Sequence, residues 1–405
     1  MSLRRALIVT FHFPPSSASG SFRMLGFARH LPRAGWEAVV VAPPRMPWEA
    51  VDPELLRQVP PETILHRVSY PHSRISMPLR LWAPWTTWLV KAWPACVRAV
   101  RRDRSEVVLT SGPPHLVHIL GLLVKRRFGI PWVADFRDPW IACTPHQSGG
   151  TWHDRVEARL ERAVMHRADR IIVNAPNACD ALRQEFPEAA GRMTVITNGF
   201  DPERFPPPAV TDGDFFTITH SGQLLIDRDP RPFLAAVRTW VAGRPAGARP
   251  VRVAFFGHHD SDGLAAVYQS RSLEGVLTIQ GQIPYAESLA AMVRSDILLL
   301  LDSPRRRIGV PAKLYEYLGA GQPVLALCEA DGDTAWVLRE SGLPHRIAPP
   351  DDPAAILEAL VGLASEVEPG RDIVEPGSGR LKFTREMMAH RLAEEFSNCA
   401  PRPVG

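Results

Sequence analysis

Long apolar runs are missing from this 405-residue chain: no stretch reaches the roughly 18 residues that a membrane-spanning helix needs. Cysteine is scarce too. The five present (Cys96, Cys143, Cys179, Cys328 and Cys399) are odd in number, widely spaced and never in a CxxC pair. That pattern argues against a disulfide framework or a structural zinc site, and for reduced thiols. The apolar run after "MSLRR" breaks at "FPP", too early for a secretory signal, so the chain reads as cytoplasmic. Charge of one sign is not in excess either. A net charge of +4 is small for this length and does not argue for nucleic acid. No repeat of fixed period is visible.

What is present is a soluble globular composition, 45% hydrophobic and 22% charged, with 40 prolines scattered as loop punctuation. Strand-length apolar runs alternate with helix-length amphipathic segments. The runs "RALIVTFHF" (5–13), "EAVVVAPP" (37–44), "EVVLTSG" (106–112), "PWVADF" (131–136), "RIIVNA" (170–175) and "MTVITNG" (193–199) fill the first half. After the proline-rich break at 198–214 come "FFTITHSG" (215–222), "VRVAFFG" (251–257), "VLTIQGQI" (276–283), "DILLLLD" (296–302) and "PVLALC" (323–328). Most are continuous rather than alternating, as expected of parallel strands covered on both faces. The spacing predicts an α/β chain with two doubly wound Rossmann-like domains, facing each other across a cleft. The expected units are 1–199, 200–375, a C-terminal helix within 376–396 returning to the first domain, and a disordered tail over 397–405.

"GVPAKLYEYLGAGQPVLAL" (309–327) places Lys313 and Glu316 three residues apart on one helix face, just before an apolar strand. Pro311 suits a helical first turn, and the helix start offers amides to an anion. The plainer reading is an exposed ion pair. "DFRDPW" (135–140) should sit at the end of a strand. There Asp138 can orient an acceptor hydroxyl or amine and Arg137 can bind an acid group, or the three charges simply lock the loop. His115, after "SGPP", is a candidate residue near a sugar. Asp260 and Asp262 in "HHDSD" read as turn and cap residues rather than metal ligands, so no metal site is assigned. The basic, tryptophan-bearing segment 77–102 has three readings. Its rings fill the core, wall an acceptor pocket (Trp85 and Trp88), or touch a membrane surface.

These stretches together resemble family-four glycosyltransferases of the GT-B fold. "ALIVTFHFPPSSASGSFRMLGFARHLPRAGWEAVVVAP" is similar to their opening strand, glycine loop and first helix. "SGPPHLVHILGLLVKRRFGIPWVADFRDPW", "ADRIIVNAPNACDALRQEFP", "VITNGFDPERF" and "SGQLLIDRDPRPFL" follow in the family's order, ending with "PAKLYEYLGAGQPVLAL". The resemblance implies transfer of a sugar, hexosyl or N-acetylhexosaminyl, from a nucleotide diphosphate such as a UDP-sugar. Retention of configuration without an essential metal or a bound cofactor goes with it. It assigns Arg228 and Lys313 to the diphosphate and Glu316 to the ribose. Gly20, Ser21, Gly222, Gln223, Gln282, Ile283, Gly309 and Val310 complete the donor site. Asp138 and His115 join the catalytic group.

Two positions depart from the family pattern. Ile308 stands where a second glutamate is usual, and Gln223 where an arginine is usual. They motivate an alternative, a nucleotide-sugar-binding protein with little turnover; a nucleotide-sugar epimerase on the same fold is a further one. The partners expected are a nucleotide-sugar and an acceptor (a saccharide, a lipid-linked sugar or a specialised metabolite), with no nucleic acid. A weak contact of 77–102 with the inner membrane face is also considered.

Overall fold

The computed structural model describes residues 3–44, 50–69, 83–140, 152–207, 213–222, 224, 227–257, 273–367 and 378–400. The chain divides into two compact units, Met1–Asn198 with Arg385–Gly405, and Gly199–Thr384.

The first unit is built on a seven-stranded parallel sheet. Its strands are β1 (Arg4–Thr10), β2 (Trp36–Ala42), β3 (Ile64–Arg67), β4 (Val107–Gly112), β5 (Trp132–Phe136), β6 (Arg170–Val173) and β7 (Met193–Val195). They lie in the order β3-β2-β1-β4-β5-β6-β7. β4 and β5 are buried at every residue, which is why their sequences read as unbroken apolar runs. β3 escaped the sequence reading because it is a four-residue edge strand, half-buried throughout, with His66 and Arg67 in it.

The second unit has a six-stranded parallel sheet: β8 (Phe216–Ser221), β9 (Val251–Phe256), β10 (Leu277–Gln280), β11 (Ile297–Leu301), β12 (Val324–Leu327) and β13 (His345–Ala348). The order is β10-β9-β8-β11-β12-β13. β13 was likewise missed, since "HRIA" is polar at its exposed edge. β11 explains its own composition: Leu299 and Leu301 enter one core and Leu298 and Leu300 the other, so both faces must be apolar. These are the two doubly wound sheets that the periodicity predicts.

The expected helix within 376–396 is two helices, Ser378–Leu381 and Arg385–Cys399. A turn separates them because Phe383 is drawn into the core of the second unit beside Tyr315 and Trp336. The longer helix lays Met388, Ala389, Leu392, Ala393 and Phe396 into the core of the first unit. Phe396 meets Trp36 edge-on with ring centroids 5.2 Å apart. Glu395 accepts a bond from Thr194 and pairs with Arg170. No helix among the described residues is long and apolar enough to cross a membrane.

In each sheet the chain direction of winding reverses beside one strand: between β1 and β4 in the first, between β8 and β11 in the second. Loops leaving the carboxyl ends of such neighbours diverge and leave a crevice, the usual ligand position in open parallel sheets.

Candidate functional site

In the first unit, helix α1 (Ser19–His30) starts beside the β1–β4 reversal. Its first turn has neither an acidic residue nor a side-chain cap. A Cβ at Gly20 would lie 1.7 Å from Nη1 of Arg137, so any larger residue there would have to displace that guanidinium. Ser21 is fully buried, and its hydroxyl has no hydrogen-bond partner among the described residues.

Arg137 is itself buried, donating from Nε to the Gly112 carbonyl at 3.1 Å and from Nη2 to Pro113 at 2.7 Å. Its neighbour Asp138 is exposed. Asp135 faces inward instead, accepting from Nε and Nη2 of Arg23 at 3.1 and 2.8 Å and from Ser111 Oγ at 2.8 Å. The same guanidinium donates to the carbonyls of Ile196 and Thr197. A buried carboxylate is tolerated because these charge-assisted bonds compensate its lost hydration. Thus the "DFRDPW" loop is locked at two of its three charges. Arg23, Ser111 and Asp135 form a connected group that no local motif announces.

His115 is stacked against Trp140 at 5.0 Å and an interplanar angle of 17°, and against Phe136 at 5.5 Å. Burial, then the charges of His118 and Arg137, hold its pKa well below the ordinary histidine value. His118 is pushed down to about 3 by burial alone. Both rings are neutral at pH 7. Thr110 Oγ1 meets His118 Nδ1 at 2.8 Å and also accepts the Trp132 indole N–H at 2.8 Å. A neutral imidazole at a strand end can exchange hydrogen bonds with a hydroxyl but cannot supply fixed positive charge.

Trp88 corrects the acceptor-wall expectation. It is fully buried, stands 4.4 Å from Phe11 by ring centroid, and donates its indole N–H to Val68. An amphipathic helix buries its largest ring on the core side, so this tryptophan is structural. Trp85 lies within the helix Ala83–Arg101, but its side chain is outside the described residues, as are Gln223 and the 258–262 loop.

The second unit gathers charge at the β8–β11 reversal. After β8, a Cβ on Gly222 would lie 3.9 Å from Cγ of Lys313, so the loop and that lysine are neighbours. Lys313 and Glu316 belong to the helix Ala312–Ala320 and pair at 2.6 Å, their side chains 33% and 18% exposed. One turn on from Lys313, Tyr317 is wholly buried. Its hydroxyl accepts the Ser221 N–H and donates to the Leu299 carbonyl, both at 3.0 Å. This bolts the helix to the ends of β8 and β11.

The loop between β11 and that helix is held as firmly. Asp302 accepts Thr334 Oγ1 at 2.7 Å and Arg306 at 3.3 Å, while the Gly309 N–H donates to Asp333 at 2.8 Å. Gly309 has φ +89°, a backbone conformation that favours glycine. Arg306 Nε donates to the backbone carbonyl of Ile308 at 3.2 Å, so a guanidinium is held against the main chain at that position. Ser303 Oγ donates to Asp227 at 2.6 Å, joining this loop to the one that bears Arg228. Arg228 is half-buried, and its Nε is buried with no hydrogen-bond partner among the described residues. Val310 and Ile283 are half-buried, and Gln282 is exposed in the segment following β10.

In the second unit, therefore, Lys313 pairs with the replaceable carboxylate Glu316 beside the Gly222 loop, and Arg228 stands on the loop that Asp227 ties to Ser303. This arrangement is suited to an anion attached to a group with hydroxyls.

Residues 21–199 match a family model described as a glycosyl transferase 4-like domain. Over 280 residues the chain is 25% identical to a probable glycosyltransferase, WbjE, of Pseudomonas aeruginosa, a match covering 64% of this chain and 66% of that protein. It is 26% identical over 266 residues to the D-inositol 3-phosphate glycosyltransferase of Nocardiopsis dassonvillei, covering 60% and 59%. The chain thus spans less than two thirds of the length of these relatives. Among solved structures, the sucrose-phosphate synthase of Thermosynechococcus elongatus aligns over 98% of both chains at 16% identity, with a TM-score of 0.67. The two parallel sheets are those of the GT-B fold.

Proposed function

We propose that this chain, a relative of the family-four glycosyltransferases with a glycosyl transferase 4-like domain over residues 21–199, moves a sugar from a nucleotide diphosphate to an acceptor hydroxyl or amine. The observation that carries the reading is the convergence of Lys313, Gly222 and the Arg228 loop at the β8–β11 reversal. Breaking a glycosyl–phosphate bond leaves negative charge on the departing diphosphate. Preorganised cations aimed at that charge lower the barrier, each typically by ~10²–10³ in rate.

In this reading Arg228 supplies a guanidinium whose buried Nε still lacks a partner among the described residues, and a phosphate oxygen would satisfy it. Lys313 exchanges its bond to Glu316 for a phosphate, and Glu316 turns to the ribose diol. Their mutual pairing compensates both charges until the donor arrives. Retention of configuration, a UDP-linked hexose or N-acetylhexosamine as donor, and independence of divalent metal belong to the same proposal. On the first unit, neutral His115 and exposed Asp138 are the groups offered to sugar and acceptor.

Thermal stabilisation by a panel of nucleotides and nucleotide-sugars tests the reading, because a ligand that binds only the folded state raises apparent stability. At a hundred times Kd the gain is about 2.7 kcal/mol. The expected result is stabilisation by one nucleotide class, with slow hydrolysis of its sugar conjugate when no acceptor is present. Binding without any turnover would leave a nucleotide-sugar-binding protein. An epimerised donor would indicate an epimerase, and no binding at all would end the proposal.

A further inference from the structure

Three helices of the first unit lie side by side: α2 (Ala83–Arg101), α3 (His118–Phe128) and α4 (Trp152–Arg167), with α3 packed against both of the others. Residues 83–169 hold 13 Lys/Arg against eight Asp/Glu, an excess of five, while the whole chain carries only +4. The net charge is thus concentrated here. Exposure sharpens the asymmetry. Among the described residues of this stretch eleven Lys/Arg are exposed but only two acids, Glu106, which pairs with Arg4, and Asp138 beyond the end of β5.

Basic residues often close helix C-termini, where they answer the helix dipole, and Arg126 is of that kind. Dipole compensation does not account for Lys91 in the middle of α2, or for Arg155 and Arg159 in the first half of α4. Each of the three helices also exposes one large apolar side chain: Val90 at 73%, Leu123 at 42% and Trp152 at 63%. Arginines beside exposed apolar groups fit a bilayer interface, where the apolar groups enter the headgroup boundary and the guanidiniums meet anionic lipid. Nucleic acid would use the charge and leave the apolar groups in water.

We infer that the α2–α3–α4 face of the first unit docks the protein on the surface of an anionic lipid bilayer. Trp88, being in the core, takes no part. The inference does not depend on the glycosyl-transfer reading, since it concerns neither the β8–β11 loops nor turnover.

Co-sedimentation of the full chain with vesicles tests it, using phosphatidylcholine alone and phosphatidylcholine with about a third phosphatidylglycerol. Binding is expected only to the anionic vesicles and should weaken as salt is raised, because the attraction acts within a Debye length. The triple change Arg98→Gln, Arg126→Gln and Arg159→Gln removes one exposed cation per helix. It should weaken binding by about a hundredfold, at roughly fivefold per charge. Val90→Ser with Leu123→Ser should abolish the part of the binding that survives high salt. Circular dichroism on both variants guards against misfolding. No binding to anionic vesicles, equal binding to neutral ones, or binding untouched by the triple change would overturn the inference. Tighter binding to a duplex RNA than to vesicles would overturn it in favour of a nucleic-acid surface.

Discussion

Glu316, Lys313 and Arg228 differ in what a donor would ask of them, and that difference can be measured. A ribose contact does not change as the glycosyl bond breaks, so Glu316→Ala is expected to raise the donor KM with little effect on kcat. On the proposed reading Arg228 would face charge that develops during the reaction, so Arg228→Ala should lower kcat by about 10²-fold. Lys313→Ala should follow the arginine change. Steady-state kinetics of the three folded variants checks this. Three small and equal effects would return the 2.6 Å pair to the status of a surface ion pair, a class that contributes about 0–1 kcal/mol.

His118 gives a second residue-scale prediction, about pH. Its folded pKa is about 3, against about 6.5 for an unperturbed histidine. The folded protein therefore binds fewer protons than the unfolded chain between those values, and stability rises with pH across that window. The contribution is complete above about pH 6.5 and is lost as pH falls, by about 1.4 kcal/mol per pH unit. Denaturant melts followed by tryptophan fluorescence at pH 7 and pH 5 should show the loss. His118→Gln should reduce it while keeping a partner for Thr110.

At the scale of elements, stability rests on a few long-range anchors. Tyr317 joins the Ala312–Ala320 helix to β8 and β11 through one hydroxyl. Tyr317→Phe leaves the buried Ser221 N–H without its partner, which costs about 1–3 kcal/mol. It should also loosen the helix that carries Glu316, so a rise in donor KM is expected with the melting shift. A stability loss with unchanged kinetics would confine the tyrosine to a structural part. The Arg385–Cys399 helix is anchored by Phe396, which has no exposed surface. Phe396→Ala should destabilise the first unit by about 3–5 kcal/mol, through lost burial and a cavity against Trp36.

For the whole molecule, the sequence determined a good deal by itself. Runs such as "ILLLL", short and continuous, read as strands covered on both faces, and their alternation with helical segments points to parallel sheets in two domains. Gly129, Gly321 and Gly342 each end a helix in the left-handed conformation, as local chemistry dictates. Lys313 and Glu316 were legible as a pair because they stand three apart on one turn. Such features depend on neighbours along the chain. The tertiary structure alone decided the rest: that Asp135 faces Arg23, 112 residues away, rather than a ligand; that Trp88 is core; that the polar edge segments "ILHR" and "HRIA" are strands; and that Tyr317 reaches Ser221 and Leu299. The physical reason is common to all of these. Periodicity records which side of an element is apolar, but which polar partner a buried group meets depends on the register of strands and helices that only the packed core sets.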